Sequence, residues 1–98
     1  MDIRAVDLNL LKAFDALTNE RAVTRAAERI GLSQPAMSHA LSRLRSLFAD
    51  DLFVRTPTGM EPTARAREIA PLVAAAIEHI ASLTGDTLSG VRALAGLF

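Results

Sequence analysis

Apolar residues recur along the first half of the chain at helical rather than alternating spacing. Leu10, Leu11, Phe14 and Leu17 stand at i, i+3/i+4 behind Asp7, whose carboxylate can accept from the free N–H groups of a first turn. The pattern predicts a one-sided helix that ends near Asn19 and Glu20. Val23, Ala26, Ala27 and Ile30 predict a second helix, with Thr24 the one nearby side chain able to cap it. Gly31 suits the residue just past a helix end. Leu32 then supplies an apolar plug, Ser33 an N-cap, and Pro35 a first-turn residue whose missing N–H is no loss.

The third helix, residues 34–48, carries the sharpest segregation. At about 100° per residue, Met37, Ala40, Leu41, Leu44, Leu47 and Phe48 share an arc of roughly 120°. Gln34, Pro35, Ser38, His39, Ser42, Arg43, Arg45 and Ser46 fill the opposite arc. An ordinary surface helix mixes Glu and Lys on its outer face, whereas this one holds no acid. Hydroxyls, an amide, an imidazole and two guanidinia can lie against a polyanion without repulsion and hydrogen-bond a phosphate or a base edge.

Helical spacing then stops. Asp50 and Asp51 close the third helix, and Leu52-Phe53-Val54-Arg55 reads as a strand of β-formers. Thr56-Pro57-Thr58-Gly59 is turn chemistry, and Met60-Glu61-Pro62 can return as an edge strand. A small hairpin, or wing, is expected, with Arg55 near its tip. Thr63 caps a long Ala-rich helix that runs to about Leu83. Ile69, Val73, Ala76, Ile80 and Leu83 are spaced 4, 3, 4, 3 along it, a heptad seam suited to a second subunit. Ala66, Ala70 and Ile77 form a neighbouring stripe for the chain's own domain. Pro71 predicts a kink or local break.

The elements add up to a mainly α fold: a winged helix-turn-helix, with a three-helix core and a β-hairpin wing, followed by a long C-terminal dimerisation helix. The divisions are residues 1–63 for the winged domain, 64–84 for the linker helix and 85–98 for a tail. Leu88, Val91, Leu94 or Ala95, and Phe98 are spaced to line a short helix in that tail, which Gly90 and Gly96 weaken.

Composition narrows the functions this fold can serve. A chain of 98 residues accommodates one small domain and leaves little room for an enzyme's substrate cavity. With no cysteine there is no disulfide framework, thiolate zinc site or thiol nucleophile. No apolar run approaches the ~20 residues of a membrane span, and no signal peptide opens the chain, so a cytoplasmic, nucleoid-associated protein without membrane contact is expected. The formal net charge of +0 conceals an uneven distribution. Residues 1–20 set Arg4 and Lys12 against four acids, and residues 68–98 set Arg92 against three. Residues 21–67 hold eight arginines against Glu28, Asp50, Asp51 and Glu61. The basic block coincides with the helix-turn-helix and wing. Arginine dominates it, the planar fork suited to phosphate and to guanine edges.

The stretch Val23-Thr24-Arg25-Ala26-Ala27-Glu28-Arg29-Ile30-Gly31-Leu32-Ser33-Gln34-Pro35-Ala36-Met37-Ser38 closely resembles the amino-terminal signature of LysR-type transcriptional regulators. So does Leu52-Phe53-Val54-Arg55 followed by Pro62-Thr63. The resemblance covers about residues 5–84 and is nearest to the branch of nodulation and aromatic-degradation regulators. It implies that the third helix enters the major groove of DNA and the wing the adjacent minor groove. The long helix would pair two subunits. By that resemblance Gln34, Pro35, Ser38 and His39 approach base edges, and Thr24, Arg25, Ser33, Ser42 and Arg43 hold phosphates. Arg55, Thr56, Pro57 and Thr58 lie at the wing. The implied partners are double-stranded DNA bearing an inverted repeat and a second copy of the chain, as a homodimer or a higher oligomer built from it. The chain departs from the pattern in places. Leu44-Arg45 stands where many members have Leu-Glu, Thr58 where a second base is frequent, and Arg65-Ala66 where Ala-Gly is usual. The wing contact is therefore expected to be weaker or differently tuned. Residues 85–98 do not match the start of the family's effector-binding domain, so no small-molecule effector site is expected in this chain.

Enzymatic and metal-dependent functions find no support. His39 and His79 lie on separate helices without paired carboxylates, and no Gly-x-Ser-x-Gly or Gly-rich phosphate loop occurs. Ser38 and His39 point about 100° apart on a helix and form no nucleophile–base pair. No cofactor and no metal are expected. The competing reading is a protein-interaction module that heterodimerises with a full-length regulator through the Ile69–Leu83 helix. The Gln34–Ser46 face favours direct DNA binding, because a pure dimerisation module has no need of it.

Overall fold

The computed structural model describes residues 6–84; the tail expected at 85–98 lies outside the described residues. Helices α1 (Leu8–Glu20), α2 (Val23–Ile30) and α3 (Gln34–Phe48) precede strands β1 (Phe53–Thr56) and β2 (Gly59–Pro62) and a long helix α4 (Ala64–Thr84). Mainly helical with one hairpin, it is the winged helix-turn-helix that the spacing predicts. Each boundary has a local cause. The Leu10 N–H donates to Asp7 Oδ1 at 2.9 Å, capping α1. Gly31, at φ 71°, ends α2, and the Leu32 N–H returns to Ala27 O at 2.9 Å. The Ala36 N–H donates to the Ser33 hydroxyl at 3.2 Å, opening α3. The Ala66 N–H donates to the Thr63 hydroxyl at 3.2 Å, opening α4.

Two local expectations are corrected. Thr24 does not cap α2: Ala22 holds the cap position, and no side chain bonds to that end. Of the kink or break expected at Pro71, the break is absent: α4 runs through it. Pro71 and Arg67 are both exposed. The Arg67 carbonyl that loses its helical donor can therefore turn to water, while Ile69 and Val73 anchor the helix on either side.

The core forms where α1 lies across α2, α3 and α4. Phe14, Leu17, Met37, Leu44, Leu52 and Phe53 are its largest fully buried side chains. The rings of Phe14 and Phe53 meet at 5.4 Å and 58°, joining α1 to the root of the wing. Met37, Ala40, Leu41 and Leu44 are buried on the inner side of α3, so its segregated pattern points the polar arc outward.

The predicted seam on α4 divides. Ile69 (9% exposed) and Val73 (4%) belong to the chain's own core together with Ala66, and so do not present a partner-facing edge. Ala70 and Ile77, the rest of the neighbouring stripe, pack half-buried against the same core, so the domain takes Ala66, Ile69 and Val73 together with that stripe. Ala76 and Ile80 are half-buried, while Leu83 stays 87% exposed and Leu72 70% exposed.

Candidate nucleic-acid interface

Gln34, Pro35, Ser38, His39, Ser42 and Arg43 all stand exposed along α3. Burial of Met37, Ala40, Leu41 and Leu44 on the opposite side fixes their direction. Arg45 leaves the row: half-buried, it donates Nε to Asp51 O at 2.8 Å and Nη2 to Phe53 O at 2.7 Å. The face is thus a polar strip with one guanidinium, Arg43, whose Nη1 stands 3.8 Å from Asp7 Oδ2. At that length and half exposure the pair is a weak tether that a phosphate can displace.

Beside the start of α3 lies a cleft of about 340 Å³ between the α1–α2 turn and the wing. Thr24, Gln34, Arg55, Thr56 and Pro57 all line it, with Arg21 and Gly59. Folding therefore gathers turn, helix start and wing around one groove. Thr24, Arg25 and Arg55 are exposed. Arg25 reaches back to Glu20 O at 3.3 Å, and among the described residues the Arg55 side chain has no hydrogen-bond or ionic partner. Ser33 accepts from Ala36 N–H yet keeps its own hydroxyl hydrogen for another acceptor. The wing threonines serve the turn as well: Thr56 Oγ1 donates to Gly59 O at 3.0 Å and lies 3.1 Å from Thr58 Oγ1. Thr58 and Pro57 remain exposed at the tip.

The basic block is partly neutralised from within. Arg21 pairs with Glu61 at 3.2 Å and Arg29 with Glu20 at 2.7 Å. Among the described residues, Arg25, Arg55 and Arg67 have no carboxylate partner. The free positive charge therefore sits on α2, the wing and the start of α4, flanking the polar strip of α3.

Sequence reasoning missed what holds the wing. The Met60 N–H donates to Arg21 O at 2.9 Å, tying β2 to the turn after α1. At the other end, Asp50 Oδ2 accepts from the Leu52 N–H and the Thr63 hydroxyl, both at 2.7 Å. The Thr63 hydroxyl foremost, then the Leu52 N–H and the nearby Arg65, hold the Asp50 carboxyl below its usual range, against opposition from burial. No periodicity marks these residues: the Arg21 carbonyl reaches Met60, and the Thr63 hydroxyl reaches Asp50, only when the chain folds, while the Leu52 N–H meets Asp50 within one tight turn. Among the described residues there is no cluster of three or more potential metal ligands, and no helix is long and apolar enough to cross a membrane.

The family model for bacterial regulatory helix-turn-helix proteins of the lysR family matches residues 8–67. The chain is 54% identical over 80 residues to nodulation protein D 1 of Rhizobium meliloti, covering 82% of this chain and 26% of that protein. It is 51% identical over 80 residues to the HTH-type transcriptional activator NagR of a Ralstonia species, covering 82% and 27%. The chain thus spans about a quarter of the length of these curated relatives. Among solved structures, a probable transcriptional regulator from Pseudomonas aeruginosa superposes with a TM-score of 0.76 at 47% identity, over 80% of this chain and 26% of the other. BenM_DBD in complex with catB site 1 DNA superposes with a TM-score of 0.76 over 92% and 97%. At 19% identity that second likeness is one of fold.

Proposed function

Because the chain belongs to the LysR family of bacterial regulatory helix-turn-helix proteins, we propose that it binds duplex DNA sequence-specifically, as a dimer at an inverted repeat, to regulate transcription. The observation that carries this reading is the exposed, acid-free strip of α3 from Gln34 to Arg43 beside a cleft lined by Thr24 and Arg55. In this reading α3 lies in the major groove. Gln34 offers an adenine its amide donor and acceptor together, Ser38 and His39 read the next base edges, and Pro35 meets a thymine methyl. Thr24, Arg25, Ser33, Ser42 and Arg43 hold phosphates, and Arg55 with Pro57 and Thr58 follows the backbone into the adjacent minor groove.

The dimer forms through α4, along a seam that differs from the heptad first visible in the sequence. Ile69 and Val73 are engaged at home. Leu72, Ala76, His79 and Leu83, again spaced 4, 3, 4, are the stripe offered to a second copy, with Ile80 at its edge. Two α3 helices then sit about one turn of DNA apart, or a multiple of it.

Selection of sites from random duplex DNA, followed by salt titration of the enriched site, tests the reading. A binder should enrich one palindromic motif and lose about 0.9 log units of affinity per log unit of salt for each phosphate contact. Absence of both overturns direct binding. Enrichment only when a full-length relative is present would favour the heterodimerising module instead.

A further inference from the structure

The chain between α3 and β1 is strained and braced from two sides. Leu52, fully buried, takes φ 61°, and the Phe53 N–H closes back on Asp51 O at 2.6 Å, a tight turn that L-residues rarely adopt. Arg45, in the last turn of α3, donates to the carbonyls on both sides of Leu52, at Asp51 and Phe53. Asp50 accepts from the N–H of Leu52 itself and from Thr63, the cap of α4. β1 starts at Phe53, so this turn is the root of the wing.

We propose that Arg45 is a positioning residue: it sets the angle of the wing to the recognition helix by holding two carbonyls at the wing's root, and touches no DNA itself. The proposal rests on the DNA-binding reading above and deepens it. Both helix and wing must meet one duplex, and Arg45 joins the end of one to the root of the other through two hydrogen bonds. The guanidinium suits the task because its rigid planar fork holds Nε–H and Nη2–H in fixed relation toward the two carbonyls, which a point-like ammonium on a flexible stem does not. The lever is long. At ~3.3 Å per residue the tip at Pro57 lies roughly 13 Å beyond Phe53, so a rotation of about 10° at the root moves it by roughly 2 Å. That displacement exceeds the tolerance of a hydrogen bond to phosphate.

The test compares the wild-type chain, Arg45→Lys, Arg45→Met, Arg55→Ala and the Arg45→Lys/Arg55→Ala double variant on the duplex enriched from the random pool. Arg45→Lys and Arg45→Met should each weaken binding about tenfold, the loss of one charge-assisted wing contact. The double variant should bind no more weakly than the worse single variant, because releasing the wing already removes what Arg55 contributes. In the free protein, hydrogen exchange should quicken at residues 53–62 in both Arg45 variants and stay unchanged at 8–20 and 34–44. Losses that add in the double variant, or wild-type binding by Arg45→Lys, would show Arg45 to be a direct or dispensable contact and overturn the proposal. So would wing exchange that does not change. Exchange that quickens everywhere together means the residue serves general stability, which also overturns it. A wild type that enriches no duplex sinks the DNA reading separately, and the exchange comparison then decides the role of Arg45 in holding the wing.

Discussion

Gly59 opens β2 at φ 128°, and a Cβ built there falls 2.8 Å from the backbone oxygen of Arg21. That oxygen accepts the Met60 N–H at 2.9 Å, so a side chain at Gly59 would enter the joint that ties the wing to the α1–α2 turn. Gly31 provides the control: it also has positive φ, at 71°, but a Cβ there meets nothing within 4 Å. Gly31→Ala should therefore show conformational strain alone, about 1 kcal/mol once the stiffer unfolded chain is allowed for. Gly59→Ala adds a contact that only main-chain movement relieves, and the loss of a backbone hydrogen bond, for a total of about 3 kcal/mol. At roughly 4–8 °C per kcal/mol in a domain of this size, Tm should fall by about 6 °C for Gly31→Ala and about 18 °C for Gly59→Ala. Far-UV circular dichroism at fixed protein concentration suits a helical chain with no Trp or Tyr. If the two variants melt within about 3 °C of each other, the Arg21 contact is not a constraint and the account of how the wing is anchored is wrong.

Ser33→Ala removes the cap of α3 and should cost about 1 kcal/mol by denaturant titration; an unchanged midpoint would mean the cap bond is not formed in solution. Gln34→Ala should cost about 1–3 kcal/mol on the selected duplex and relax preference at one base pair of each half-site, with thermal stability unchanged. Leu72→Glu with Leu83→Glu should leave a folded monomer by light scattering, whereas Val73→Glu buries a charge in the core and should unfold the domain. The reverse pattern would return the seam to Val73. Asp50 binds its proton less readily folded than unfolded, so its stabilisation is fully present above the usual carboxylate pKa of 3.8 and is lost as pH falls through the lower folded value. Asp50→Asn should accordingly melt below wild type near neutral pH, and the gap should close in acid; a gap independent of pH would contradict the clamp.

The elements were legible because local chemistry fixes them. Asp7, Ser33 and Thr63 cap as their side chains allow, Gly31 ends α2, and the apolar arc of α3 is buried as its spacing requires. The exposed strip from Gln34 to Arg43 follows from the same periodicity, since burying one side of a helix presents the other. Arg45 was not legible. It lies on the polar arc, yet folding back of the chain after Phe48 brings two carbonyls within its reach.

By itself, then, the sequence determined where the helical segments lie along the chain, which face of α3 is polar, and that positive charge concentrates between residues 21 and 67. These are properties of neighbours in the chain and of side-chain period. The tertiary structure decided which charges stay free, pairing Arg21 with Glu61 and Arg29 with Glu20 while leaving Arg25 and Arg55 open. It also decided which stripe of α4 the core takes and which it leaves exposed. Ile69, Val73 and Leu83 share one stripe in the sequence, and only the packing of the domain against α4 buries the first two and leaves Leu83 exposed.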